Sequence, residues 1–332
     1  MRKKISQNHI RRDIFEREVI IAGKRSERPG ASVKKRKKPR KEECPFCPGN
    51  EKLTGSTVLA LPDKKNWKVR IFPNKFPVVF SNSFKSISRH PYKCFAPRGR
   101  HEVMVETRDH NHEYEDMKLE DLSLVFKALK IRYEELMCMK DINYVTVFKN
   151  RGKTAGASIP HTHMQIIASP LFPEIISREM DESEAFFKKE KKCGICTVVE
   201  QELKYKERVV THNSDWICIN PYSSSWPYQI QFMPKRHFSE ITDADDSELE
   251  NLARIIKKVF MAFSKIFEDL PLNIMYHNFP KSELWHFQVH LYPRLMTQAG
   301  FEFFGLNVNT KTPEEAAAEL REAMKHLDDN QV

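Results

Sequence analysis

The sequence predicts an α+β protein made of two related halves, each an antiparallel sheet with helices, split as residues 1–185 and 186–332. Three observations carry this. Short β-branched runs with period-two alternation recur along the chain, as in His101 to Thr107, where Val103 and Val105 alternate with Glu102 and Glu106. Long amphipathic segments stand between them, at Tyr114 to Met137 and Asp245 to Phe267. The order of features in the first half then returns in the second.

Val19 to Gly23 reads as a short strand closed by a glycine turn. Arg25 and Arg28 follow on a loop, where guanidinium groups could take a phosphate or a nucleobase. Cys44-Pro45-Phe46-Cys47 is a knuckle turn whose two thiolates can grip one tetrahedral ion. Trp67 to Phe80 and His101 to Thr107 are strands, Tyr114 to Met137 a helix, and Asn143 to Asn150 a further strand. Gly156-Ala157-Ser158 then turns into Ile159-Pro160-His161-Thr162-His163-Met164-Gln165-Ile166. In an extended chain His161, His163 and Gln165 share one face.

In the second half Cys193-Gly194-Ile195-Cys196 answers Cys44 to Cys47, and Met233 to His237 answers Glu106 to His110. Leu272 to Asn278 answers the strand ending at Asn150, and Leu284 to Leu291 answers Ile159 to Ile166. His286 therefore falls on His161, Gln288 on His163 and His290 on Gln165. Two Cys2His2 zinc sets result, Cys44, Cys47, His110, His161 and Cys193, Cys196, His237, His286. A last helix starts at Pro313, capped by Thr312.

Composition sets the class. With 332 residues, 40% of them hydrophobic, the chain is long enough for two domains. No apolar run approaches the roughly 18 residues that would suggest a membrane span. No signal peptide is visible, which points to the cytoplasm. Seven cysteines, four of them in Cys-x-x-Cys pairs, fit metal binding in a reducing compartment better than disulfides. Cys94, Cys138 and Cys218 are then expected in the core. The net charge of +10 is partly concentrated in Lys34 to Lys41. That run is read first as a solvated loop, with a nucleic-acid or polyphosphate patch as the alternative.

The zinc sets assign the chemistry. With His161 tied to an ion, His163 is held in place but left unmetallated, and a neutral imidazole is a nucleophile toward phosphorus near pH 7. Its other ring nitrogen keeps its proton and needs an acceptor, such as a backbone carbonyl of the same loop. Gln165 would donate its amide to a non-bridging phosphoryl oxygen. Because the second half has Gln288 at the nucleophile position, only the first half can form a covalent adduct.

At these residues the chain resembles the galactose-1-phosphate uridylyltransferase branch of the histidine-triad superfamily, together with its ADP-glucose phosphorylase relatives. The resemblance rests on Arg25-x-x-Arg28-Pro29, Cys44 to Glu51, Asn74-Lys75-Phe76, Asn150-x-Gly152, Ser158 to Gln165 and Pro313 to Ala317. It implies two histidine-triad-like domains and a ping-pong exchange between a nucleotide sugar and a sugar 1-phosphate through a covalent nucleotidyl-histidine, in a homodimer. On that resemblance His163 is the nucleophile, Gln165, Ser158 and Asn150 contact phosphate, and Arg25, Arg28, Asn74 and Phe76 contact the nucleotide. His161-Thr162-His163 departs from the His-Pro-His usual in the uridylyltransferases and is closer to the adenylyl-transferring relatives. A bacterial second-half metal site would fall on Glu179, His277 and His290, but with Gln288 in place of a ligand. The expected activity is transfer of UMP from UDP-glucose to a hexose 1-phosphate, with an ADP-sugar phosphorylase as the alternative. Two readings from other classes stay open. A histidine-triad hydrolase would need a third histidine where Gln165 stands, and a zinc-stabilised nucleic-acid binder would use the Lys34 to Lys41 run without needing His163.

Overall fold

The structure, a computed structural model, describes residues 9–12, 18–21, 41–81, 90–280, 282–325 and 327. Arg25, Arg28 and positions 34–40 of the basic run lie outside the described residues. Two short strands, β1 (His9–Arg12) and β2 (Glu18–Ile21), pair with β5 (Lys93–Phe95) in a small sheet.

The remaining strands form one antiparallel sheet of ten. From the first half come β3 (Leu59–Leu61), β4 (Val69–Pro73), β6 (Arg100–Val105), β7 (Tyr144–Arg151) and β8 (His163–Ser169). From the second come β9 (Val209–His212), β10 (Trp216–Ile219), β11 (Ile230–Pro234), β12 (Leu272–His277) and β13 (Gln288–Pro293). The order is β3-β4-β6-β8-β7-β12-β13-β11-β10-β9. Read inward from either edge, the two halves have the same arrangement, so the duplication seen in the sequence is a duplication of strand order. β7 and β12 pair antiparallel and join the halves, with Asn273 opposite Asn150.

Helices α1 (Leu119–Met137) and α4 (Asp246–Ile266) cover one face, sharing a core with Met164, Ile166, Val145, Val147, Ile274 and Val289. α4 begins where the sequence predicts, because the Asp245 carboxylate accepts from the Glu248 N–H while Glu248 reaches back to the Asp245 N–H. Thr312 and Glu315 cap α5 (Pro313–Met324) in the same way. α2 (Glu174–Glu190) connects the halves and leads to α3 (Gly194–Tyr205).

Several boundaries differ from the sequence reading. α1 starts at Leu119 rather than Tyr114, because Tyr114 is fully buried and donates to Glu106 Oε1 at 2.6 Å, holding the chain in turns until Lys118. β4 ends at Pro73 rather than running to Phe80, since Asn74 Oδ1 accepts from the Phe76 N–H at 2.8 Å and turns the chain. β8 and β13 begin at His163 and Gln288, so His161 and His286 sit on the approach to their strands. Cys193 is the N-cap of α3, whereas Cys44 and Cys47 lie in a turn, so only the first Cys-x-x-Cys is a knuckle. Of the three cysteines expected in the core, Cys218 is buried, Cys94 half-buried and Cys138 exposed, since Cys138 caps the C-terminus of α1.

Side-chain parity along β8 holds as predicted. Met164, Ile166 and Ala168 face the helices, leaving His163 and Gln165 on the other side. Thr162 continues the helix-side row into a polar cluster. Its hydroxyl bonds Glu106 Oε2 at 2.7 Å and Glu113 Oε2 at 3.0 Å, and Lys149 reaches it as well. Lys149 Nζ lies 2.5 Å from Glu106 and 3.1 Å from Glu113. Burial alone would depress the Lys149 pKa, but the two carboxylates outweigh it and hold the ammonium above its ordinary value. Removing one member of such a pair leaves a buried charge uncompensated. Lys149→Met is therefore expected to lower unfolding stability by about 3–5 kcal/mol. Denaturant titration checks this, and a loss under about 1 kcal/mol would contradict the buried-pair account.

Candidate nucleotidyl-transfer site

The face of the sheet opposite α1 and α4 carries the predicted centre. At its rim the Cys44 to Cys47 turn closes over the approach to β8. His161 Nδ1 lies 3.7 Å from Cys44 Sγ and 3.5 Å from Cys47 Sγ, and His110 Nδ1 lies 3.3 Å from Cys47 Sγ. The four ligand atoms all fall within 4.8 Å of one another. A tetrahedral zinc with its usual bond lengths would set sulfur and nitrogen about 3.6 Å apart, so the cluster has the dimensions of such a site. His161 also donates from Nε2 to the Thr107 carbonyl at 2.8 Å, which fixes its tautomer with Nδ1 toward the sulfurs.

The second set repeats this construction. His286 Nδ1 lies 3.9 Å from Cys193 Sγ and 3.4 Å from Cys196 Sγ, and His237 Nδ1 lies 3.4 Å from Cys196 Sγ. His286 Nε2 donates to the Pro234 carbonyl at 2.9 Å. Pro234 is the residue that the repeat aligns with Thr107. In each set burial keeps one imidazole neutral, with His161 and His286 both pushed down to about 4. Burial and a neighbouring thiol push Cys47 and Cys196 up to about 12. Paired thiols held together at that cost fit a dication that would bind them as thiolates. Among the described residues these two groups, one in each half, are the candidate metal centres. Metal analysis of the purified protein is expected to give about two zinc ions per chain, falling to about one in Cys44→Ser, and a value near zero would refute the paired-site reading.

His163 opens β8 and is buried. Its Nδ1 bonds the carbonyl oxygen of His161 at 2.8 Å, which puts the proton on Nδ1 and the lone pair on Nε2. Burial pushes its pKa down to about 4, so the ring is neutral near pH 7. The Phe46 ring, from between the two knuckle cysteines, packs edge-on against it at 5.1 Å. Gln165 follows on the same face, half-buried, with Oε1 3.0 Å from His101 Nε2.

Asn150 stands on the neighbouring strand. Its Oδ1 accepts from Asn273 at 2.8 Å, and the second hydrogen of that amide goes to the Ala155 carbonyl at 2.8 Å. Asn273 thus links the halves through the Asn150 side-chain oxygen. The loop from Arg151 to Ser158 depends on Gly152, whose φ is +80° and where a Cβ would meet Pro271 at 2.9 Å. Ser158 is half-buried at the end of that loop. Asn74 and Phe76 lie just past β4, next to β6.

Comparison with family models decides the relationship. The N-terminal domain model of galactose-1-phosphate uridyl transferase matches residues 1–173, and the C-terminal domain model matches residues 179–331. The chain belongs to the galactose-1-phosphate uridylyltransferase family. An ADP-glucose phosphorylase from Arabidopsis thaliana is 30% identical, over 94% of this chain and 92% of the relative. A galactose-1-phosphate uridylyltransferase from Thermotoga maritima is also 30% identical, over 88% and 93%. Among solved structures, a uridylyltransferase superposes with a TM-score of 0.80 at 27% identity, covering 96% of this chain and 98% of the other. An ADP-glucose phosphorylase from Arabidopsis thaliana with bound ADP-glucose gives 0.76 at 28%, covering 92% and 95%. The family resemblance and the α+β architecture read from the sequence both stand.

Sequence reasoning found the cysteines and histidines and the His163 to Gln165 pair, but missed His101, Asn273 and the Lys149 cluster. The repeat does not expose Asn273, because it sets Asn278 on Asn150, and Asn273 meets Asn150 only through the pairing of β7 with β12. On the same face of the second half, Glu179 Oε2 lies 2.9 Å from His277 Nδ1, while Gln288 is engaged by Gln231 at 2.5 Å and His290 at 3.2 Å. No helix among the described residues is long and apolar enough to cross a membrane.

Proposed function

We propose that this enzyme moves UMP from UDP-glucose to a hexose 1-phosphate through a nucleotidyl group carried on His163. The observation that carries the reading is the His163 tautomer. Its Nδ1–H is given to the His161 carbonyl and its Nε2 lone pair is left for phosphorus, beside Gln165. Nε2 attacks the α-phosphorus, the N–P bond forms, and the electron pair of the breaking P–O bond leaves with the sugar 1-phosphate. The reverse exchange with a second sugar 1-phosphate releases the new nucleotide sugar. The leaving group is itself a phosphate of low basicity, so no strong general acid is required. The positive charge on the substituted imidazole is met by the His161 carbonyl, and charge on the phosphoryl oxygens by the amide of Gln165.

In this reading Ser158 and Asn150 contact phosphate, while Asn74, Phe76, Arg25 and Arg28 contact the nucleotide. Zinc in both Cys2His2 sets shapes the site and takes no part in the chemistry. The histidine-triad-like halves, 1–185 and 186–332, divide the work, since Gln288 leaves the second without a nucleophile. A homodimer is part of the proposal, supported by the exposed apolar side chains Phe301, Phe303, Phe304, Leu306 and Val308 that a second copy would cover. Seven free cysteines support a reducing, cytoplasmic setting. A second reading, an ADP-sugar phosphorylase, is favoured by Thr162 between the two histidines.

Incubation with UDP-glucose or ADP-glucose labelled at the α-phosphate, followed by acid or base, tests both readings. Wild type is expected to hold an acid-labile, base-stable label from UDP-glucose, and His163→Asn none. Label from ADP-glucose alone moves the assignment to the phosphorylase, and no label from either donor overturns both.

A further inference from the structure

We infer that His101 is a positioning residue that sets the orientation of the Gln165 amide and ties it to the Asn74–Val78 segment. The inference rests on the transfer reading above. His101 is 4% exposed on β6, with Ile167 opposite it and Gln165 diagonal to it, opposite Val103. The backbone N–H of Val78 donates to its Nδ1 at 3.2 Å. A backbone donor cannot turn away, so Nδ1 must offer a lone pair and the ring proton resides on Nε2. That nitrogen faces Gln165 Oε1 at 3.0 Å.

An amide can be turned end for end in the same space, and only its partners decide which end faces where. The proton on Nε2 selects the Gln165 oxygen, so the NH2 group is the end left to meet a phosphoryl oxygen. With the amide reversed, a carbonyl dipole would oppose the charge developing there. Asn74 is held through the His101 backbone and the turn that follows it. Its backbone N–H donates to the His101 carbonyl at 2.8 Å, and its Oδ1 is taken by the Phe76 N–H at 2.8 Å. Its Nδ2 lies 3.1 Å from His101 Nε2; with the proton on Nε2, two donors face each other there and no hydrogen bond forms between them. One imidazole thus holds a segment assigned to the nucleotide and the amide assigned to the phosphate.

The test is single-turnover formation of the His163 adduct with saturating labelled donor, comparing His101→Phe, Gln165→Ala and the double variant. His101→Phe, which leaves the Gln165 donor present but unoriented, is expected to slow adduct formation at saturation by about 10- to 100-fold, less than the roughly 100- to 1,000-fold cost of removing such a donor outright. In the Gln165→Ala background the same change is expected to cost under about twofold, because the two residues act as a unit. His101→Gln, which can again donate toward Gln165, is expected to regain most of the rate. His101→Asn, polar but too short to reach Gln165, replaces the phenyl variant if that one does not fold. A saturating rate within about twofold of wild type in His101→Phe or His101→Asn would overturn the inference, as would losses that multiply in the double variant. A change confined to the donor KM or to the melting temperature would assign His101 a structural role and overturn it too. If wild type itself takes no label, the transfer reading fails first; if wild type is labelled and the His101 variants are normal, only this inference fails.

Discussion

The hydrogen bond from His163 Nδ1 to the carbonyl of His161, 2.8 Å long, is where the metal-type cluster, the strand and the reacting nitrogen meet. The acceptor belongs to the residue whose own ring is held between two sulfurs and the Thr107 carbonyl. Any movement of His161 therefore moves the acceptor that decides which His163 nitrogen carries the proton. The bond itself is worth on the order of 1 kcal/mol. Its larger effect is to choose the tautomer, since the other one would present an N–H to phosphorus and no lone pair.

Thr162, between the two histidines, faces the other side of the sheet. There Lys149, Glu106 and Glu113 surround its hydroxyl, and Tyr114 donates to Glu106. The three residues His161, Thr162 and His163 are thus held from both sides, by sulfur and imidazole on one and by a buried ionic cluster on the other. A proline at this position would have no hydroxyl and would restrict the backbone directly. In this chain the side-chain cluster does that work, and it also delays the start of α1.

Much of the centre was legible because it is local or repeated. His161, His163 and Gln165 stand at period-two spacing, and the two Cys2His2 sets could be assembled because each position in one half had a counterpart in the other. Parity even survived the late start of β8, since Thr162 keeps the row of Met164 and Ile166. What stayed hidden was pairing across strands. His101 lies opposite Ile167 and Asn273 opposite Asn150 only once the sheet is built, and nothing in their local sequence marks them. Tyr114 was misplaced for the same reason: its apolar periodicity fits the helix, but its hydroxyl bonds Glu106. Cys138 shows the converse error, a residue type common in cores standing exposed at a helix end.

The two halves show one frame used twice with different residues at the reacting position. His286 repeats the contacts of His161 down to the aligned carbonyl of Pro234, yet Gln288 stands where His163 would be and is engaged by Gln231 and His290. The account therefore turns on the state of a single ring. Nitrogen-15 NMR of histidine-labelled protein at pH 7, with the His163 signals assigned by their loss in His163→Asn, reads that state directly. The account predicts a neutral ring protonated at Nδ1 with Nε2 bare; a proton on Nε2, in either the other tautomer or the imidazolium, would contradict it.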